Sequence, residues 1–252
     1  MFQEDLFGRG AFHPKFAMTI SEYHEMVKTL PLEVQARVMR DPGHFLDLTA
    51  AVLESDTLLV RHIDRSIGLS PDYTPDGLIS LREAAPDVPV YSSDDRLIAS
   101  AATALSALVR SAADAGIHLA VSSSFRDYHT QEDVYADHIT RFGFRTTVQL
   151  VAPPGHSEHQ LGTTVDFHPV GRRFNDSPQD LWLSEHAGRY GFSMSYPPDL
   201  EHITGYLHES WHYRYIGLPA IHLRDGFFNG VQFHLTEFFH RHGDFLQQVH
   251  RQ

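Results

Sequence analysis

The sequence predicts an α+β fold in which a small antiparallel sheet is flanked by helices and preceded by an N-terminal helical extension. Apolar residues recur every three or four positions through residues 19–67, which is the spacing of amphipathic helices. Short stretches that alternate as strands do, such as TTVDF at 163–167, come only later in the chain. Helices first and strands later indicate an α+β protein rather than an alternating parallel fold.

A domain boundary is predicted at LSPDYTPDGLISL, residues 69–81, because two prolines and a glycine indicate an irregular connector. The predicted organisation is an N-terminal helical region, residues 1–68, followed by a larger domain, residues 69–252, that ends in a helical tail. The sequence contains no internal repeat and no low-complexity tract.

Several elements of the larger domain can be predicted in order. A helix is expected to follow the capping residues Ser93 and Asp94 and to end at Gly116. IHLAVSS then indicates a strand, and a second helix with three-to-four spacing closes at Gly143. TTVDF is expected to be a strand that presents Asp166 on one face.

Composition excludes several classes of function. The 252 residues, 42% of them apolar, are enough to bury a core. Twenty basic against 32 acidic side chains give a net charge of −12, which disfavours nucleic acid as a partner. No apolar run approaches the ~18 residues of a transmembrane segment, and the start MFQEDLFGRG lacks the pattern of a signal peptide. Because the chain has no cysteine, any metal must be held by His, Asp or Glu.

Two clusters of polar residues carry the chemistry: GHSEHQLGTTVDFH at 155–168 and HESWH at 208–212. A turn that a glycine permits, leading into a strand, can aim His159 and Asp166 at one point. One imidazole and one carboxylate are two of the three protein ligands of a catalytic zinc site. The third ligand is therefore expected to be a histidine of the second cluster.

The second cluster permits two metal geometries. His208, Glu209 and His212 satisfy the HExxH pattern of zinc proteases, in which the motif lies on an α-helix and both histidines are ligands. Gly205 before the motif and Gly217 after it, together with its Tyr, Trp and Ile residues, favour a turn that runs into a strand. In the second geometry the two histidines do not share a helix face, so both need not be ligands.

Three blocks of sequence resemble the VanY-type D-alanyl-D-alanine carboxypeptidases, which share a zinc-peptidase fold with D-Ala-D-Ala dipeptidases and hedgehog signalling domains. The blocks are SSSFRDYHTQ at 122–131, PGHSEHQLGTTVDF at 154–167, and GFSMSYP with ITGYLHESWHYRYIG between 191 and 217. With the connector, the resemblance spans residues 69–217. The order of the blocks is more specific than any single motif.

The resemblance implies a role for each matching residue. His159, Asp166 and His212 would bind zinc, and Glu209 would be the general base that moves the proton of the attacking water. Arg126 would stabilise the oxyanion that develops on the scissile carbonyl. The residues at substrate-contacting positions are Ser157, Gln131, Ser123, Tyr196 and Trp211. Three of them also have a purely structural interpretation: Ser123 as a helix cap, Gln131 as a helix-surface residue and Trp211 as a core residue.

Four positions depart from the family pattern. Thr164 replaces the usual alanine before the aspartate, and Ser124 and Phe125 replace the Gly-Tyr pair before Arg126. Ser195 stands where many relatives have an arginine. The first three departures supply no ligand, whereas the missing arginine bears on substrate recognition.

The resemblance implies a zinc peptidase that removes the terminal D-alanine from peptidoglycan stem peptides. An L,D-carboxypeptidase or a peptidoglycan endopeptidase of the same fold is the near alternative, and a non-catalytic zinc-containing binding module is a more distant one. Such a substrate implies action in the cell envelope or periplasm, and hence an export signal or anchor that is not visible in this chain.

Overall fold

The fold is described from a computed structural model of the chain, which describes residues 12–251. The opening segment MFQEDLFGRG, where the sequence analysis finds no signal peptide, lies outside the described residues. Within the described part, no helix combines the length and the apolar character that spanning a membrane requires.

Helices and short strands make up the described chain, which confirms the α+β class. The helices are α1 (Ile20–Val27), α2 (Leu32–Arg40), α3 (Pro42–Leu53), α4 (Leu81–Ala84), α5 (Ala99–Asp114), α6 (Tyr128–Phe142), α7 (Phe144–Leu150), α8 (Pro178–His186), α9 (Glu201–Thr204), α10 (Leu218–Phe227) and α11 (Gln232–Val249). The strands are β1 (Leu78–Ser80), β2 (Arg96–Ile98), β3 (Val121–Ser123), β4 (Thr164–Phe167), β5 (Phe192–Met194) and β6 (His212–Tyr215). Short 3₁₀ helices occur at Thr57–Val60, Glu158–Leu161 and Ala187–Tyr190.

Strands β3 to β6 form one four-stranded antiparallel sheet in the order β3-β4-β6-β5. Across β4 and β6, Asp166 is paired directly with His212. Across β3 and β4, Asp166 is paired with Ser123, next to a shift in register after Val121. All four residues of β4 are buried, as expected for an inner strand covered on both faces.

Helix α5 follows the predicted periodicity but begins later than the capping residues Ser93 and Asp94 suggested. Arg96–Ile98 form strand β2, which pairs antiparallel with β1, so the helix starts only at Ala99. The predicted end is confirmed, since Gly116 has a φ of +77°. Only the last three residues of the predicted strand IHLAVSS form a strand, which is β3.

Helix α6 coincides with the predicted second helix. The Asp127 side chain caps its start by accepting a hydrogen bond from the Thr130 backbone N–H at 2.7 Å. Gly143 ends it with a φ of +79°, and α7 follows directly. Gln131 is the buried polar residue of α6 and lies one turn after the cap.

The described residues form two compact units, one containing residues up to His62 together with those from Pro219 onward, and the other Ile63–Leu218. The sequence predicts that the C-terminal tail belongs to the larger domain, whereas in the structure the tail clusters with the N-terminal helices. The aromatic ring of Phe45 in α3 explains this grouping. Its centroid lies 5.2 Å from that of Phe227 and 5.5 Å from that of Phe238 in the tail.

Gly162 ends the 3₁₀ helix Glu158–Leu161 and allows the chain to turn into β4. It has a φ of +68°, and its carbonyl accepts a hydrogen bond from the Ile98 N–H at 2.9 Å. A Cβ at this position would lie 2.8 Å from Leu78 Cδ2 and 3.0 Å from Pro75 Cγ. Both the backbone angle and the close packing therefore require glycine.

We expect Gly162→Ala to lower the free energy of unfolding by about 1–3 kcal/mol more than Gly116→Ala. Both glycines have positive φ, but a Cβ on Gly116 would meet no atom within 4 Å. The matched pair therefore separates the close packing from the backbone strain, and urea denaturation of the two variants measures the difference. Equal losses would show that the contacts with Leu78 and Pro75 yield without cost.

Candidate metal centre

Three buried side chains converge at the edge where the 3₁₀ helix Glu158–Leu161 meets β4 and β6. Nε2 of His159 lies 3.2 Å from Oδ2 of Asp166, and Nδ1 of His212 lies 3.0 Å from Oδ1 of the same carboxylate. One ligand atom from each residue lies within 4.8 Å of the other two. The structure thus brings together the three residues that the sequence analysis names as metal ligands.

His159 is oriented with a free lone pair toward this cluster. Its Nδ1 lies 2.6 Å from the backbone oxygen of Ser124, which can only accept, so Nδ1 carries the proton and donates it. Nε2 is buried and has no well-aligned hydrogen bond, although Asp166 is near. Burial, reinforced by the charge of Arg126, lowers the pKa of His159 to about 4. A neutral imidazole with one anchored nitrogen is the form that binds a metal.

His212 lies between two carboxylates. Its Nδ1 faces Asp166, and its Nε2 lies 3.1 Å from Oε2 of Glu158. Burial acts to lower the pKa of His212, but the hydrogen bonds to Asp166 and Glu158 outweigh it and raise the pKa to about 10. In the metal-free protein His212 is therefore an imidazolium at neutral pH, and a metal ion at Nδ1 would displace one proton.

The donor set fits a zinc ion. Two imidazoles and one carboxylate are a known ligand combination of catalytic zinc sites, which keep a further position open. Although burial acts in the opposite direction, the hydrogen bond and the charge of His212 hold the pKa of Asp166 well below its ordinary value, so it is an anionic donor. The free lone pair on Nε2 of His159 points to the same conclusion.

Glu209 and Arg126 border this cluster without belonging to it. Oε2 of Glu209 lies 3.6 Å from Nδ1 of His212, and Nη2 of Arg126 lies 3.6 Å from Oδ2 of Asp166. Burial raises the pKa of Glu209 to about 8, against the opposing charge of His212. A carboxyl group with a pKa near neutrality can both take up and release a proton in this range.

The HESWH segment is not helical. Residues 207–211 lie between α9 and β6, and His212 is the first residue of β6. The geometry of a helical HExxH zinc site is therefore absent from this segment. Among the described residues the ligand group includes His212 but not His208.

A cleft of about 420 Å³ opens beside the cluster. Four of the five substrate-contacting residues named from the sequence line it, namely Ser157, Gln131, Tyr196 and Trp211. Ser123 does not line it, because this residue is held in β3 opposite Asp166, next to the register shift. The Gln131 side chain donates to the Ala152 carbonyl at 2.7 Å, and its buried Oε1 has no partner.

One wall of the cleft was not recognised from the sequence. Helix α6 contributes Val134, His138 and Phe142, and Leu150 and Val170 add further apolar surface. The spacing of the first three predicted a helix face but not what that face lines. A partly exposed apolar helix face beside a motif block is the signal that could have indicated a binding surface.

The four departures from the family pattern lie outside the cleft lining and make structural contacts. Ser124 donates through Oγ to Asp95 at 2.7 Å, and Thr164 donates to the Glu158 carbonyl at 3.2 Å. The ring of Phe125 packs under the guanidinium of Arg96. Ser195 is buried, with its backbone N–H 3.4 Å from the His212 carbonyl.

Comparisons with known proteins show which family and which folds the chain resembles. Residues 94–218 match the VanY family model, which is described as D-alanyl-D-alanine carboxypeptidase. The D-alanyl-D-alanine carboxypeptidase of Enterococcus faecalis is 36% identical over 114 residues, which are 42% of this chain and 42% of that protein. The aligned regions cover between 35% and 60% of the length of the curated relatives.

Two solved structures extend the likeness to the fold. The LD-carboxypeptidase LdcB is 29% identical with a TM-score of 0.61, covering 71% of this chain and 84% of that one. The D,D-pentapeptidase VanY from a VanB-type resistance cassette, a point mutant in complex with Zn(II), is 27% identical with a TM-score of 0.59, covering 72% of this chain and 99% of that one.

The fold and the site together are those of a peptidase of the carboxypeptidase class. Within that class, residues 94–218 form a VanY family domain. The resemblance recognised in the sequence is thereby confirmed.

In the metal-free protein, we expect Glu209→Gln to remove part of the loss of stability that accompanies rising pH. The pKa of Glu209 is about 8 in the folded protein against an ordinary 4.5, so between these values the unfolded chain releases a proton that the folded chain keeps. Stability therefore falls by about 1.4 kcal/mol per pH unit from this group. Thermal melts of EDTA-treated wild type and Glu209→Gln between about pH 5 and pH 7.5 test this. Parallel curves would contradict the raised pKa.

Proposed function

We propose that the protein is a zinc-dependent D-alanyl-D-alanine carboxypeptidase that removes the terminal D-alanine from peptidoglycan stem peptides. The observation that carries the proposal is the cluster of His159, Asp166 and His212 at the cleft, with Glu209 and Arg126 at its border. The VanY family membership supports the reaction, and the zinc complex of the VanY relative supports the metal.

His159, Asp166 and His212 would hold the zinc ion. A zinc ion bound by three protein ligands supplies a Lewis acid and makes water ionisable near neutral pH. The protein contributes a buried, pre-arranged anion and two oriented imidazoles, which spares the site from reorganising when the metal enters. The set of ligands that we propose is the set named from the sequence.

Glu209 is the proposed general base. It would accept a proton from the attacking water and then give it to the leaving amine of the departing D-alanine. Its raised pKa fits both halves of this transfer, because the carboxyl group is neither a strong acid nor permanently ionised. The backbone N–H of Glu209 donates to the Tyr196 carbonyl at 3.0 Å, which fixes the segment that carries the base.

Arg126 is the proposed partner of the negative charge that develops on the scissile carbonyl oxygen. Its side chain is 18% exposed and lines the cleft beside Asp166. A guanidinium keeps its charge at all working pH values and presents several donors in one plane, which suits this role. Ser157, Gln131, Tyr196 and Trp211 are the proposed contacts to the rest of the peptide.

A second candidate function is cleavage of an L,D bond in the same stem peptide. The likeness to the LD-carboxypeptidase LdcB, with a TM-score of 0.61, favours it. Both reactions use the same proposed metal, base and oxyanion partner, so the choice depends on how the cleft holds the residues on either side of the scissile bond. A peptidoglycan substrate places the proposed site of action in the cell envelope, outside the inner membrane.

We expect His159→Ala, Asp166→Ala and His212→Ala each to lose zinc or bind it far more weakly, because each removes one of three protein ligands. His208→Ala is the matched control and should keep its metal. Glu209→Ala should also keep zinc, since a base that is not a ligand does not set affinity. Metal content after dialysis measures all five. Zinc lost in His208→Ala and retained in Asp166→Ala would overturn the ligand assignment.

With zinc present, we expect the wild-type protein to release a single D-alanine from a stem pentapeptide and to leave an all-L peptide intact. Mass spectrometry of the digests identifies the bond that is cut. Glu209→Gln is the control and should lower kcat by about 10²–10⁴-fold with zinc retained. Loss of alanine from a tetrapeptide alone would favour the L,D reaction, and no cleavage of any stem peptide by zinc-loaded protein would favour a binding module.

A further inference from the structure

A buried ion pair lies against His212 on the side away from Asp166. Oε1 of Glu158 accepts a hydrogen bond from Nη1 of Arg214 at 2.9 Å, and Oε2 lies 3.1 Å from Nε2 of His212. The side chain of Arg214 has no exposed surface, and that of Glu158 is 7% exposed. Guanidinium, carboxylate and imidazole thus form one continuous buried chain.

Stability alone does not account for a buried ion pair. Removing two charges from water costs free energy that their mutual attraction often fails to return. Here the carboxylate also meets Nε2 of His212 and can only accept, so Nε2 must carry a hydrogen and donate it. The other nitrogen, Nδ1, is the one that faces Asp166.

We propose that the Glu158–Arg214 pair is a positioning pair that fixes the ring orientation of His212 and selects Nδ1 as its metal-binding nitrogen. The inference rests on the proposed function, in which His212 is a zinc ligand. Arg214 holds Oε1 by a hydrogen bond, so Oε2 stays aligned with the imidazole. Neither residue lines the cleft or belongs to the group of candidate ligands.

The position of Glu158 in the chain strengthens this assignment. Glu158 and His159 are consecutive residues of the same 3₁₀ helix, so one turn supplies a ligand directly and orients a second ligand on β6. Ser195 is hydrogen-bonded to the same carboxylate. This departure from the family pattern therefore lies at the positioning pair rather than in the cleft.

Glu158→Gln tests the positioning role. A carboxylate accepts from both Arg214 and His212, whereas an amide has one accepting oxygen and turns its NH₂ group toward one of these donors. We expect the zinc Kd of the purified full chain, measured with a competing chelator, to rise about 10–100-fold. A Kd equal to that of wild type would overturn the proposal.

Gln160→Leu is the matched control for loss of stability. Gln160 lies on the same turn and is equally buried, but its side-chain amide donates to the carbonyls of Ser70 and Tyr73, both at 3.1 Å. We expect a lower Tm with an unchanged zinc Kd. If Gln160→Leu weakens zinc as much as Glu158→Gln does, the effect is one of general destabilisation and the positioning role is wrong.

A measurement on the wild type keeps the proposal testable if Glu158→Gln fails to fold. In ¹⁵N spectra of the zinc-loaded protein, with the His212 signals assigned by their loss in His212→Ala, we expect protonated Nε2 and metal-bound Nδ1. The opposite tautomer would overturn the inference. Zinc binding that is unaffected by His212→Ala would overturn the proposed ligand set as well, whereas zinc lost in His212→Ala but kept in Glu158→Gln overturns the positioning role alone.

Discussion

The antiparallel register between β4 and β6 is the constraint on which the site depends. It sets Asp166 directly opposite His212, which brings Nδ1 of the imidazole to 3.0 Å from the carboxylate. A slip of one residue would turn every side chain of the strand to the other sheet face, and the aspartate would enter the apolar core. The turn at Gly162 then brings His159 to the same carboxylate. The donor set is therefore a consequence of strand pairing plus one left-handed residue.

Local signals predicted the elements that depend on local chemistry. The C-terminal ends of α5 and α6 were predicted correctly because a glycine follows each helix, and both Gly116 and Gly143 have a positive φ. Strand β4 was predicted from its alternating pattern. The start of α5 was not found, because strand β2 exists only through pairing with β1. The grouping of the tail with the N-terminal helices depends on contacts between Phe45 and residues far along the chain, which local sequence does not encode.

The grouping of His159, Asp166 and His212 was predictable because motif spacing and order carry it, and the non-helical HESWH segment was predictable because Gly205 and Gly217 disfavour a helix. The partner of His212 was not predictable in the same way. Glu158 stands between two motif residues as an ordinary acidic residue, and its charge partner Arg214 lies 56 positions away. Only the fold shows that both are buried and adjacent to a proposed ligand.

The first part of the connector, residues 69–77, has the composition of a linker, but hydrogen bonds hold it in place. The Leu69 N–H donates to the Gly155 carbonyl at 2.8 Å, and the carbonyls of Ser70 and Tyr73 hold the side chain of Gln160. These hydrogen bonds hold the proline-containing segment against the turn that carries His159. An inserted tag or a protease site there would break these hydrogen bonds and lower the free energy of unfolding, whereas surface loops of similar composition usually accept such changes.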